Sequence, residues 1–308
     1  MAEAVASGDE AASFAPPASV RARRGARLAG RAAFLLLVFL ILYGPLLLLA
    51  IFSFNNSTIL SLPWAGFTTR WYHLALQDPD LQRALLNSIL VACIVAPVCL
   101  VIGTLTAFAL TRFRFRTRGA IGGLVGAPLV LPWLVIGIAA LLFFSQLQKV
   151  MPFFHLSLRT VVATQIICTF PLVTAIVAAQ LFRFQRAQEE AAIDMGASRM
   201  QVLRYVILPH IAPALAASAI FAFTWSFNNF EISFFTIGFQ EVFPTWVYGT
   251  VRNSEHLPTV NAISTLISLV QVLLIYAALR IMRSRGEDEA VSAITGAEAI
   301  GGQAERAA

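Results

Sequence analysis

Apolar residues in this chain gather into long runs rather than the short alternating patterns of a water-soluble domain. Six runs reach the roughly 20 residues that a helix needs to cross the hydrocarbon core of a bilayer. They cover 33–54, 86–111, 121–147, 161–182, 214–238 and 260–282. The pattern predicts an all-α polytopic membrane protein with six transmembrane helices. The first run follows Arg21, Arg23, Arg24, Arg27 and Arg31, as a signal peptide's apolar region would. It is too long for one, and no small-residue cleavage motif comes after it.

Basic residues between the runs set the expected orientation, because Arg and Lys are retained in cytoplasmic loops. The amino tail carries the five arginines above, and the second loop carries Arg112, Arg114, Arg116 and Arg118. The fourth loop has Arg183, Arg186, Arg199 and Arg204, and the carboxy end has Arg280, Arg283 and Arg285. The alternate loops hold only Arg70, Arg83, Lys149, Arg159 and Arg252. Both termini are therefore expected in the cytoplasm. The division that follows is a cytoplasmic tail over 1–32, a transmembrane domain over 33–285 and a second cytoplasmic tail over 286–308. Both tails are expected to be disordered, since Ala, Gly, Ser and acidic residues offer little apolar periodicity to bury.

Composition agrees with this picture. Only 12% of the 308 residues are charged, where an ordinary soluble domain carries about 25%. Mean hydropathy is +0.76. The net charge of +6 raises nucleic acid as a partner, and Arg112-Phe113-Arg114-Phe115-Arg116 has the look of a basic and aromatic patch. A short loop at a membrane surface accounts for it without nucleic acid, leaving membrane lipid as the expected contact. Cys93, Cys99 and Cys168 lie inside apolar runs with no His or carboxylate at ligand spacing, so they predict small core residues and neither a disulfide framework nor a metal site.

The longest basic loop is punctuated as two short helices. An Ala-rich stretch leads to Gly196, a residue suited to the left-handed position just past a helix end, and Ser198 with Gln201 has capping-box spacing for the next helix. Pro209 and Pro213 then set the entry into the fifth span. Glu190 and Asp194 are four apart and share a face beside Ala191 and Ala192, whose small side chains permit close approach by another protein. Two readings stand at this point: a protein-docking helix, or an interfacial helix lying on the membrane, whose outer face would be expected to carry Lys or Arg rather than Glu189, Glu190 and Asp194.

The loop resembles the permease family of ABC importers, whose signature is Glu-Ala-Ala, a Gly four residues after the second Ala, and a later Ile-x-Leu-Pro. Here the matching positions are Glu190, Ala191, Ala192, Gly196, Val206, Leu208 and Pro209, with Val206 standing where the family has Ile. The segments 45–55, 84–88, 103–112 and 234–238 extend the resemblance over most of the membrane domain, toward the second permease of polyamine-type systems. It implies a coupling helix, with Glu190, Asp194 and Gly196 among its residues, docked on a separate ATPase. It also implies a second homologous permease and an extracytoplasmic solute-binding protein as partners.

Polar residues inside spans are costly unless they face protein or a water-filled path. Asn87, Ser88, Gln165, Thr169, Ser226, Asn228, Asn229, Glu231, Asn261, Ser264, Thr265, Ser268 and Gln271 qualify, Ser264, Ser268 and Gln271 at spacings that share one face. Each Ser, Thr or Asn has a second reading, a hydrogen bond between helices. Glu231 is the one acidic residue within a predicted span, and Asn228 shares its face if the helix is continuous. Polyamine-type relatives commonly show paired Asp where Asn228 and Asn229 stand, and an acid where Trp133 stands. The substrate-path candidates are thus Asn87, Trp133, Asn228, Asn229 and Glu231, for a polyamine-like amine or a less cationic organic solute. Pro128 and Pro132 predict a kink beside Trp133.

There is no Gly-rich phosphate loop ending in Lys-Ser or Lys-Thr, so ATP hydrolysis is assigned to a partner, and no cofactor is called for. His73, His155, His210 and His256 all fall outside the spans, which weakens an intramembrane enzyme. An ion channel or a secondary transporter without an ATPase remains the contrasting expectation.

Overall fold

The computed structural model describes residues 18–57, 64–253 and 257–283. Of the two predicted tails, 1–17 and 286–308 lie outside the described residues. Regular structure within them is helical, apart from one bridge between Asn55 and Phe67. The helices are α1 Ala18–Phe52, α2 Arg70–Gln77, α3 Pro79–Arg112, α4 Arg118–Val130, α5 Trp133–Val150 and α6 Leu158–Arg183. After these come α7 Arg186–Asp194, α8 Arg199–Val202, α9 Leu208–Phe227, α10 Glu231–Thr236, α11 Phe243–Arg252 and α12 Leu257–Arg283. Among the described residues, six helical stretches are long and apolar enough to cross a membrane: Gly30–Phe52, Pro79–Arg112, Trp133–Val150, Leu158–Arg183, Arg199–Phe227 and Leu257–Tyr276.

Three of the helical segments depart from the apolar runs in ways that shape the site. First, α1 begins at Ala18, so 18–32 is helical where a tail was expected. Second, the run 121–147 is two helices, because Pro132 takes the position before α5 with ψ 130° and the ladder restarts from its own carbonyl, which accepts from Val135 N and Ile136 N. The proline ring has no N–H to continue the upstream turn, and its predecessor is pushed out of helical backbone. Third, the fifth span starts at Arg199 rather than at 214 and stops at Phe227 rather than at 238. The helices α8 and α9 are one rod joined by a π turn over Leu203–Ile207. Pro209 supplies a reason: it cannot donate to the carbonyl four residues back, and the widened turn gives its ring room.

The core sits where α3, α6 and α9 meet. Half of the apolar window of α6 is buried inside the chain, against none of that of α1, so α6 is the central post and α1 a peripheral helix resting on α12. At Gly103 α3 comes close to α6, and a Cβ there would stand 2.8 Å from Val173 Cβ. Any larger residue there would push two spans apart. Val91, Val95, Val161, Val177 and Ile211 fill the surrounding layers. A polar tie crosses this core: Ser226 Oγ donates to Gln165 Oε1, and Gln165 Nε2 donates to Ser233 Oγ at 3.1 Å, so α6, α9 and α10 are joined by a glutamine that is 1% exposed. In an apolar interior such a set is stable because each member is satisfied. Cys99 and Cys168 are buried as expected, whereas Cys93 is exposed on the outside of α3.

Candidate functional site

The loop after α6 is built as its punctuation predicts. Phe184 and Gln185 are extended, turning the chain into α7. That helix closes with Gly196 at φ +89°, Gly196 N donating to Ile193 O at 2.8 Å and Ala197 N to Ala192 O at 3.0 Å. These two bonds are the Schellman pattern, which satisfies the last carbonyls of a helix through one left-handed residue. Ser198 then caps α8, its Oγ accepting from Gln201 N at 3.3 Å while Gln201 Oε1 accepts from Ser198 N at 2.7 Å.

The structure divides the predicted docking residues between two faces of α7. Glu190, Ala191 and Asp194 are exposed, as is Gly196 after it, whereas Ala192 is buried against the core together with Val202 and Ile207. Ala191 therefore provides the small outward residue and Ala192 the inward one. Beside Glu190 and Asp194 stand Ile193, Met195 and Met200, the last two 83% and 69% exposed. This is a mixed acidic and apolar surface, unlike the basic rim of a helix that lies on lipid. Leu208 and Pro209 are exposed just past the π turn, where they shape the rod.

Glu189, which the sequence reading placed on the outer acidic face, turns inward instead. Its Oε1 is 2.5 Å from Arg112 Nη2, the last residue of α3. Arg112 also lies over the Phe184 ring, 5.5 Å from its centroid, and that ring packs against His210 of α9 at 4.7 Å. The roles of Arg112, Phe184 and His210 escape a sequence reading, because their positions are far apart in the chain. The one available hint is that Arg112 abuts an apolar run without a spacer.

The substrate-path candidates gather only in part. The helix breaks at Leu131–Pro132 and at Asn228–Phe230 lie side by side: Trp133 meets Trp225 edge-on at 4.9 Å, and Gly137 packs against the Glu231 carbonyl. The expected shared face of Asn228 and Glu231 is lost, since Asn228 closes α9 and Glu231 opens α10. Asn228 instead faces α12, accepting from Gln271 Nε2 at 3.3 Å and donating to Thr224 O at 3.0 Å. Asn229 is buried and its Oδ1 accepts from Ile232 N at 3.1 Å, which makes it the brace of the break. The Glu231 side chain is exposed. Asn87 stands apart, donating from Nδ2 to Glu241 O at 2.8 Å beside Ser88, whose Oγ accepts from Phe243 N at 2.8 Å. Next to the second break is a cleft of about 430 Å³ lined by Asn228, Phe230, Phe243, Tyr248 and Val251, an apolar slot with one amide at its edge.

Comparison with known proteins places this architecture. Residues 99–285 match the family described as "Binding-protein-dependent transport system inner membrane component". The chain is 32% identical over 256 residues to the spermidine/putrescine transport system permease protein PotC of Escherichia coli K12, covering 83% of this chain and 94% of that protein. It is 35% identical over 241 residues to the putrescine transport system permease protein PotI of the same strain, covering 77% and 85%. Among solved structures, a bacterial ABC transporter involved in the import of the acidic polysaccharide alginate shares the fold at TM-score 0.67 and 17% identity, over 85% of this chain and 96% of that one. The MetNI methionine ABC transporter does so at TM-score 0.56 and 19% identity, over 67% and 95%. A bundle of apolar spans with a capped acidic helix set between two of them is thus the frame of a known transport component, and the chain belongs to the binding-protein-dependent transport system inner membrane component family, as a non-catalytic permease subunit of an ABC importer.

Proposed function

We propose that the chain forms half of the path by which a small organic amine of polyamine type enters a bacterial cell, and that α7 couples this path to a separate ABC ATPase. The other half is a second homologous permease, and an extracytoplasmic solute-binding protein delivers the solute. Both termini and α7 lie on the cytoplasmic side, a reading supported by the arginine asymmetry. The names of the two relatives point to spermidine and putrescine. Glu231 supports a cationic solute: it is an exposed carboxylate at a helix break, with no ion-pair partner among the described residues.

The observation that carries the reading is the outward face of α7, where Glu190 and Asp194 stand beside exposed Ile193 and Met195. An ATPase cleft that closes on such a rigid helix would rock the attached spans, a transfer between two states of the whole subunit. The test is Glu190→Lys in the assembled transporter, measuring ATPase copurification and uptake of labelled putrescine or spermidine. Both are expected to fall while membrane insertion is unchanged. Normal copurification and uptake would remove α7 from the coupling path, and a reporter fused after Arg199 that proved to be outside the cell would overturn the orientation.

A further inference from the structure

Of the four arginines in the second loop, Arg112 is the one that the described residues show in an ion pair. Arg114 and Arg116 are exposed, as loop charges at a membrane surface are, and Arg118 is half-buried. The Arg112 side chain is only 13% exposed and its partner Glu189 only 21%. Retention of positive charge on one side of the membrane does not call for a guanidinium folded inward, away from water.

Its contacts join segments that are distant in sequence. Arg112 ends α3, Glu189 lies one turn into α7, and Phe184 is the joint between α6 and α7. Phe184 is 4% exposed and leans on His210 at the start of α9, whose Nε2 is 3.4 Å from Gln180 Nε2 of α6. A second guanidinium reinforces the link in the other direction, since Arg186 Nη2 donates to Thr111 O at 3.3 Å. A carbonyl in the last turn of α3 is thereby tied to the first residue of α7. A planar guanidinium can lie on an aromatic ring and meet a carboxylate at once, which a lysine ammonium does less well.

We propose that Arg112 is a positioning residue for the coupling step. By fastening α7 to the end of α3 it makes the two move together, so motion imposed on α7 reaches α3 as well as α6 and α9. Without this link α7 would hinge at Phe184 and Gln185, where the backbone is extended and no helical bond spans the joint. An ATPase would still dock and turn over, yet the spans would follow it poorly. This inference rests on the proposed docking of α7, and it assigns Arg112 to transmission rather than to docking.

The test compares Arg112→Gln, Arg112→Lys, Glu189→Gln and the exchanged pair Arg112→Glu with Glu189→Arg in the assembled transporter. Membrane content, ATPase copurification, ATP hydrolysis and uptake of labelled putrescine or spermidine are read for each. Arg112→Gln and Glu189→Gln are expected to keep copurification while uptake per ATP hydrolysed falls about tenfold, within the range for coupled sites. The exchanged pair is expected to recover uptake in part, and Arg112→Lys to be intermediate. Should Arg112→Gln insert poorly, the nearly isosteric Glu189→Gln carries the comparison. Uptake per ATP unchanged in both single variants would overturn the proposal, as would loss of copurification, which would make Arg112 a docking residue. If Glu190→Lys also leaves uptake and copurification untouched, the failure belongs to the docking of α7 itself.

Discussion

A Cβ placed on Gly137 would stand 3.0 Å from the carbonyl oxygen of Glu231, so α5 and α10 touch backbone to backbone at the residue that opens α10 after the second helix break. Phe235 closes the same contact at 2.9 Å. The fit sets the position from which the Glu231 carboxylate projects. Gly137→Ala is expected to lower the stability of the purified subunit by about 1–3 kcal/mol, the usual range for overpacking. Gly137→Leu is expected to stop uptake. Thermal unfolding in detergent together with uptake assays checks both, and a melting temperature unmoved by Gly137→Ala would mean that the two helices part freely.

Glu231→Gln keeps the shape of the side chain and removes its charge. Uptake of a cationic amine is expected to fall by about tenfold or more, as for a charged contact made without water, while ATPase copurification stays at the native level. Native uptake in this variant would show that Glu231 serves structure and not the path.

Asn229 holds the same break from inside, through its bond to Ile232 N. Asn229→Ala removes a cap and is expected to cost about 1 kcal/mol of stability, with uptake affected less than by Glu231→Gln. Uptake assays on the two variants side by side settle the order, and a more damaging Asn229→Ala would move the polar path to that residue.

Gly196 has open space around it but a left-handed backbone. Gly196→Ala is therefore strained without any clash, by about 1–2 kcal/mol, and is expected to loosen the turn between α7 and α8 and to weaken ATPase copurification. Copurification at the native level would show that the docking surface tolerates a relaxed turn.

Glu241 gives a pH dependence with a definite sign. Burial first, and then Asp80 and Asp78, hold its carboxyl above the usual carboxylate value of 4.5. A group whose pKa is raised on folding favours the native state below its unfolded value, and that contribution is lost as pH rises through the raised value. Removing the charge of Glu241 therefore relieves both its desolvation and the repulsion from Asp80 and Asp78. Glu241→Gln is expected to raise the melting temperature at neutral pH and to leave it unchanged near pH about 4. An equal shift at both pH values would assign the effect to packing.

The six spans were readable because each contains a long apolar stretch, and the loop turn was readable because Gly196, Ser198 and Gln201 are local signals acting within a few residues. The break at Asn228–Phe230 was not, although both asparagines were singled out. Hydropathy averaged over a window counts them as two polar residues in an apolar run and does not register that Asn229 can cap a new helix three residues on. Trp133 was read for the charge it lacks, while its contact with Trp225 depends on how two broken helices lie together. Glu189 and Arg112 were assigned by sign and place in their loops. Their pairing follows from α3 and α6 ending at the same level, and no periodicity in either segment records that.

The π turn over Leu203–Ile207 houses one residue more than an α-helical turn would, with Leu208 N reaching back to Leu203 O. Deleting any one of those five residues would let an ordinary turn close, and the rod would still insert. Everything before the deletion would, however, be swung by about 100° and drawn in by about 1.5 Å relative to the span that follows. Either Glu190 and Asp194 would point elsewhere, or the clasp at Arg112 would be pulled open to absorb the mismatch. Substitutions in this stretch alter side chains and, at Ile207, the packing of the core, whereas a single gained or lost codon re-aims α7, so length is the property of this segment least free to change.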